Sequence, residues 1–416
     1  MLLKFDRTSP DLELNLLFIT ILILPFQTFF GILILLFIVY RVWTKNYGSI
    51  VNDRLTYYFI ILTGFMMISC VFAYKSGEAW LGMVHFLPFF FVFLGLRTLI
   101  TNYSHLYYLI LPIIFNSIPI GILGIGEVKL GWKTPYFIYK SLGWQLIPYG
   151  TPEGRMSSVF PHANPLSLYL FTALFFGLAL LIDRWKKNQF GKINIVILLT
   201  ILLNIVCLIL TSSRNGWLVS IITFVVFSLY FRSYFILILL TVSSALISWA
   251  SFGNLPAQSL LRNIIPSFFW QRLSDEMYPD RPLATLRTTQ WDFCLDLIQN
   301  RPFFGWGLRN FSILYEEKTG LYLGHPHNFF LMISAETGLI TLLMMLFIIG
   351  SIFWGGIVTL IKDKSEKKEG LILFSYLVIF SGYAIFNLFD VTIFDLRLHI
   401  LAWIILASIS GVTKNS

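Results

Sequence analysis

Charge is what this sequence has least of. Asp, Glu, Lys and Arg make up 12% of its 416 residues, where a soluble domain carries roughly 25%. That deficit excludes a soluble enzyme, a disordered chain and a nucleic-acid binder with a basic surface throughout. Cysteine is scarce as well, with three in the chain. Cys70 and Cys207 sit in apolar runs and Cys294 in a long polar stretch, so no disulfide framework is indicated. Regular alternation of apolar with polar residues is missing, which excludes an outer-membrane barrel. No cleavable leader is expected. The first residues are mixed in charge (Lys4, Asp6, Arg7, Asp11, Glu13) and the apolar stretch after them lacks a small-residue cleavage site, so it reads as a retained span.

What is present is continuous apolar sequence: 57% hydrophobic residues, 17% aromatic, mean hydropathy +0.76. With a hydrocarbon core to cross, this predicts an all-α polytopic membrane protein of about twelve transmembrane helices. Residues 1–250 carry the first nine, interrupted by an extracytoplasmic loop at about 127–164; 251–327 form a large, partly helical extracytoplasmic loop domain; 328–416 carry the last three. The first two spans share Leu14–Trp43, broken near Pro25–Gly31, and the tenth is read as one long segment from Asn328 to Ile361. In the large loop, Leu283, Leu286, Trp291, Leu295 and Ile298 sit near helical spacing after Arg281-Pro282, and Arg301-Pro302 with Gly305-Trp306-Gly307 ends that helix.

Orientation follows from the basic residues. With the N-terminus inside, a little over half of the 30 Lys and Arg fall in cytoplasmic segments. These include Lys4, Arg7, Arg41, Arg97, Lys187, Lys192, Lys362, Lys364, Lys367, Lys368 and Lys414.

Three polar clusters then lie at outer ends of spans. Gly154-Arg155 to Asn164-Pro165 precedes one, with Asn164 placed as its N-cap. Thr211-Ser212-Ser213-Arg214-Asn215-Gly216 is a tight turn between two. His325-Pro326-His327-Asn328 leads into a third, with Asn328 at the cap. Each following helix would point backbone N–H groups outward, and Arg155, Arg214 and Arg287 would complete an anion site suited to a pyrophosphate. Each residue also has a bland reading: Arg214 as a snorkelling anchor, Arg155 and Arg287 as ordinary loop residues, and Arg281, Arg301 and Arg309 as loop-packing or solvated charges. His-Pro-His could be half of a metal site, but no third ligand is evident, so no metal is expected; an imidazole near pKa 6.5 suits a general base better. His162 has a weaker claim, through its nearness to Arg155. Glu336 lies nine positions beyond His327, inside the span, where a carboxylate is either functional or a buried partner for an Arg or the backbone. Asp390, Asp395 and Arg397 crowd the last hairpin and are expected to pair with one another.

At these residues the chain resembles the O-antigen ligase / O-antigen polymerase superfamily. The 211–216 turn looks like that family's Ser-Arg-Gly turn, with Asn215 between Arg and Gly. Arg287 to Trp291 and Arg301-Pro302-Phe303-Phe304-Gly305-Trp306-Gly307 look like its outer-loop signature. His325-Pro326-His327-Asn328, followed by Glu336-Thr337-Gly338-Leu339, looks like its His-x-His-Asn signature. The resemblance implies a GT-C-like fold in the bacterial inner membrane, an active site facing the periplasm, and no cofactor or metal. It implies inverting transfer from a polyprenyl-pyrophosphate-linked glycan donor to a glycan or lipid-linked acceptor, in contact with membrane lipid and not with nucleic acid. In that reading His327 is the base, His325 the second choice, Arg155, Arg214 and Arg287 hold the pyrophosphate, and Asn164, Asn328 and Glu336 support the site. The alternatives are a polysaccharide polymerase of the same family, or a bicarbonate or other solute transporter, as some relatives have been labelled.

Overall fold

The computed structural model describes residues 12–189, 191–254, 256–276, 282–362 and 370–413. Lys4, Asp6, Arg7, Asp11, Arg281, Lys364, Lys367, Lys368 and Lys414 lie outside the described residues. The described chain is helical, without strands. The first half holds α1 (Leu12–Ile23), α2 (Thr28–Val51), α3 (Arg54–Val71), α4 (Ser76–Gly82), α5 (Leu87–Leu99), α6 (Tyr103–Leu130), α7 (Tyr136–Leu142), α8 (Ala163–Lys186), α9 (Lys192–Leu210) and α10 (Arg214–Tyr230). The second holds α11 (Tyr234–Phe252), α12 (Ala257–Ile264), α13 (Ser267–Leu273), α14 (Arg287–Asn300), α15 (Asn310–Thr319), α16 (Phe329–Thr337), α17 (Leu339–Lys362), α18 (Gly370–Phe386) and α19 (Leu396–Thr413).

Nine described segments are long and apolar enough to cross a membrane, and α1, α10 and α18 are shorter apolar helices. The chain is a polytopic all-α membrane protein. Burial sorts its helices: α8 is 78% buried over its apolar window and α19 72%, whereas α11 is 11% buried. The first two are core, whereas α11 leaves most of its leucines and isoleucines exposed. Phe171, Phe175 and Phe176 of α8 and Tyr376 of α18 are fully buried.

Two predicted elements differ. The segment from Asn328 is not one helix: it breaks at Gly338, which has φ 85°. The break exposes backbone groups that hydrocarbon could not satisfy, and the Pro302–Gly307 loop satisfies them. Trp306 N–H donates to Ala335 O (3.0 Å), Gly307 N–H to Glu336 O (2.7 Å) and Leu339 N–H to Pro302 O (2.8 Å). The two sequence motifs thus form one interlocked joint. In the large loop, the helix begins at Arg287 rather than after Pro282, following a 3-10 turn at Leu283–Thr285. Its buried face is Gln290, Phe293, Cys294 and Leu297. Leu283 and Leu295, two of the residues at helical spacing, are exposed, and the small core of this loop is built around Phe293, Phe311 and Tyr315.

Hydrogen bonds between helix ends identify one face of the bundle. The C-terminal ends of α6, α9 and α18 and the N-terminal ends of α8, α10 and α16 meet there, through Glu127–Ser157, Arg155–Thr211, Asn215–Phe386 and Phe329–Asn387. The opposite face holds Arg97–Asp53, Lys187–Asp183 and Glu13 with Arg41 and Lys45.

Candidate active site

Asn164 is the hub of the first face. It is not the N-cap of α8, a place taken by His162, but lies one position inside the helix. Its amide is thereby released from capping and makes three side-chain bonds outside its own helix. Its Oδ1 accepts from Arg155 Nη2 (3.1 Å) and Ser213 Oγ (3.0 Å), and its Nδ2 donates to Asp390 Oδ2 (2.7 Å). A carboxylate and a guanidinium impose this amide orientation, since one only accepts and the other only donates. The other Asp390 oxygen accepts from Val391 N–H (2.9 Å) and lies 3.3 Å from His327 Nδ1. Four helix ends are thus tied together through Asn164 and Asp390.

The expectation that Asp390, Asp395 and Arg397 pair among themselves holds for two of them. Arg397 Nη2 meets Asp395 at 2.9 Å, and its Nη1 donates to Val159 O at 2.7 Å. Asp390 turns the other way, to the imidazole. Burial opposes its charge, but the hydrogen bond from His327 and the two imidazoles outweigh burial and hold the carboxyl below the usual carboxylate range. An ionised carboxylate has no proton to give, so His327 Nδ1–H is the donor of this bond and Nε2 points away from it.

His327 itself has φ 52°, a left-handed conformation uncommon outside glycine. Its surroundings hold it there. His327 N–H donates to His325 Nδ1 (3.2 Å), Trp291 Nε1 of α14 to Pro326 O (3.0 Å), and the Asn328 side chain caps α16 by accepting from Leu331 N–H (3.0 Å). His325 packs its ring edge-on against His327, centroids 4.5 Å apart, and stacks on Phe394. Burial, and then His327 beside it, push the His325 imidazole down to about 4; Arg287 and His162 add to this and Asp390 opposes it.

The arginines gather around the 211–216 turn. Arg155 Nε donates to Thr211 O (3.1 Å) and Arg272 Nε to Ser212 O (3.0 Å), while Arg214 pairs with Asp275 at 3.0 Å. Ser213 caps α10 through Gly216 N–H (3.2 Å), and Asn215 Nδ2 reaches Phe386 O (2.8 Å) on α18. Arg287 begins α14 on the His325 side of the site. Arg301 instead stacks over Trp306 and donates to Phe72 O (3.1 Å), and Arg309 pairs with Glu78 at 3.2 Å.

Glu336 does not join this network. It is buried at the α16–α17 break, where its Oε1 accepts from Phe311 N–H at 3.2 Å, holding the start of α15. That is the backbone-partner alternative for this carboxylate.

Asp390 and Arg272 are the site residues that sequence reasoning missed. Asp390 looked like half of a local ion pair, and Arg272 was not singled out at all; no motif marks either. With Asp390, the His-Pro-His segment gains a third potential metal ligand, since ligand atoms of His325, His327 and Asp390 lie within 4.8 Å of one another.

A guanidinium cluster and a carboxylate-held imidazole, sharing one asparagine, can bind an anionic leaving group and accept a proton beside it. No curated protein matches the chain. The O-Antigen ligase family does match, over residues 195–346. That segment contains the 211–216 turn, Arg272, Arg287 and the whole His325–Gly338 stretch, while Arg155, Asn164 and Asp390 lie outside it. Over residues 195–346, this chain is similar to the O-Antigen ligase family.

Proposed function

We propose that the protein transfers a glycan from a polyprenyl-pyrophosphate carrier to an acceptor sugar hydroxyl, at the periplasmic face of a bacterial inner membrane. The observation that carries this is the bonded path Arg155–Asn164–Asp390–His327, which joins a cationic cluster to a base. His327 Nε2 takes the proton of the acceptor hydroxyl as its oxygen attacks the anomeric carbon. The bond from that carbon to the pyrophosphate oxygen breaks, and the electron pair leaves with the pyrophosphate. Arg155, Arg214 and Arg287, with Arg272 beside them, offset the charge that develops. Attack opposite the departing group inverts the anomeric centre, and the leaving group supplies the driving force, so no nucleotide is consumed.

His327 rather than His325 is the base. A ring near pKa 4 is a weak proton acceptor, and His325 Nδ1 already accepts from the His327 backbone. The positive-inside rule supports the orientation, because the face opposite the site carries Arg41, Lys45, Arg97, Arg184 and Lys187. In this reading α1, α10 and α18 cross the membrane with the nine longer segments, in a GT-C-like bundle, and transfer needs no metal. Transport is the weaker reading, since a transporter builds its ionisable site near the midplane.

The test is transfer from a purified polyprenyl-pyrophosphate glycan by the full chain in detergent or vesicles, with acceptor lipid present or omitted. Product that needs acceptor lipid indicates a ligase; extension on the carrier indicates a polymerase. His327→Ala should lower the rate on the order of 10²–10⁴-fold. Full activity in that variant refutes the base assignment. Activity abolished by chelation and restored by a divalent cation would instead make His325, His327 and Asp390 a metal seat.

A further inference from the structure

Arg214 is already neutralised, and by a residue that belongs to no motif. Its guanidinium meets the Asp275 carboxylate at 3.0 Å, in a contact left partly open, with the Arg214 side chain 32% and the Asp275 side chain 49% exposed. Asp275 follows the helix that carries Arg272, and Arg272 donates to the backbone of the same turn that presents Arg214. The carboxylate is therefore placed among cations gathered at one turn. The next residue behaves differently: Glu276 pairs at 2.9 Å with Arg262, whose guanidinium lies over the Trp270 ring and whose Nε donates to Ala250 O. One acidic residue of this pair neutralises the turn, and the other fixes the loop to α11.

We infer that Asp275 is an internal stand-in for the donor's diphosphate, occupying Arg214 until the donor displaces it. The inference rests on the reading of Arg214 as a pyrophosphate ligand and adds to it a determinant of donor affinity. The physical basis is exchange of anions on one guanidinium. A diphosphate brings more charge and more acceptor oxygens than a carboxylate, so it wins the exchange, but its affinity is reduced by the strength of the pair it breaks. While the site is empty, the same pair spares Arg214 from standing uncompensated beside Arg155 and Arg272.

The experiment compares wild type, Asp275→Asn and Glu276→Gln, using the full chain in detergent at low salt. Asn is among the few residues at ease at the left-handed φ of 63° that Asp275 adopts, so the first variant removes charge and keeps the backbone. Asp275→Asn should lower KM for the donor, and the dissociation constant of inorganic pyrophosphate read by calorimetry, by roughly two- to fivefold, the range of a part-exposed ion pair. The gain should shrink as salt rises, and Glu276→Gln should show none. An unchanged or raised KM and dissociation constant in Asp275→Asn overturns the inference, because a carboxylate that merely orients Arg214 would weaken binding when neutralised. Arg214→Ala separates the two levels. If it weakens donor binding while Asp275→Asn does not strengthen it, the exchange fails and the pyrophosphate reading stands; if it leaves donor binding intact, both fail.

Discussion

A single amide does much of the organising at the residue scale. Asn164 accepts from a guanidinium and a hydroxyl and donates to a carboxylate, so any change to its two ends reverses a bond. Asn164→Asp would set a second carboxylate 2.7 Å from Asp390, and should impair transfer more than Asn164→Ala despite its closer shape. Asp390→Asn keeps the volume but can no longer enforce the donor role of His327 Nδ1. It should lower the rate on the order of 10²-fold, the lower end of the range for a general base, with little change in donor KM. A fall in donor affinity of the same size would place Asp390 in binding instead. Asn164 was named beforehand as a supporting residue, but the partners of Asn164 and Asp390 were not legible. Asn164 stands next to Pro165, as a capping residue would, and Asp390 lies five positions from the Asp395 that does pair with Arg397. Sequence spacing favours the local partner, whereas the fold supplies one from a distant helix.

Among elements, the joint between the Pro302–Gly307 loop and the α16–α17 break shows why two motifs far apart in the chain occur together. Each satisfies backbone groups that the other leaves open. The contact is close enough that a Cβ on Gly338 would lie 2.0 Å from Phe303 O, at a φ of 85° that side chains resist. Gly338→Ala should therefore destabilise the protein by at least about 2 kcal/mol, read as a lowered midpoint of thermal unfolding in detergent and reduced yield. Wild-type stability in that variant would show that the joint tolerates separation. Since α16 is capped by Asn328, next to His327, and ends at this joint, loss of activity should accompany the loss of stability. The helices themselves were largely legible: apolar runs of the right length fell on the described spans within a few residues. The break was not, because a glycine in an apolar run reads equally as a packing position.

For the whole molecule, the site adds a pH dependence to stability. The folded environment holds His325 near 4, below its ordinary 6.5. Between those values the unfolded chain binds the proton more readily, so stability rises with pH there. The contribution is fully present above about 6.5 and is lost as pH falls towards about 4. Asp390, held below its ordinary 3.8, contributes above that value and is lost only in stronger acid. Thermal unfolding of the full chain should thus fall between pH 6.5 and 4. His325→Asn, which keeps an acceptor for the His327 N–H, should flatten that fall. An unaltered acid slope in the variant would show that another group sets it.

The sequence by itself determined the membrane, the helices, their approximate ends and the three motifs that carry His327, Arg214 and the outer loop. Those features follow from local physics, namely the length of an apolar run, the residues that cap or break it, and the scarcity of charge. Only the tertiary structure decided which polar groups meet. A side chain confined among helix ends bonds to whatever the packing brings within 3 Å or so, and that depends on how distant helices cross. Asp390 behind His327, Asn164 between two charges, and Asp275 on Arg214 are all outcomes of that crossing.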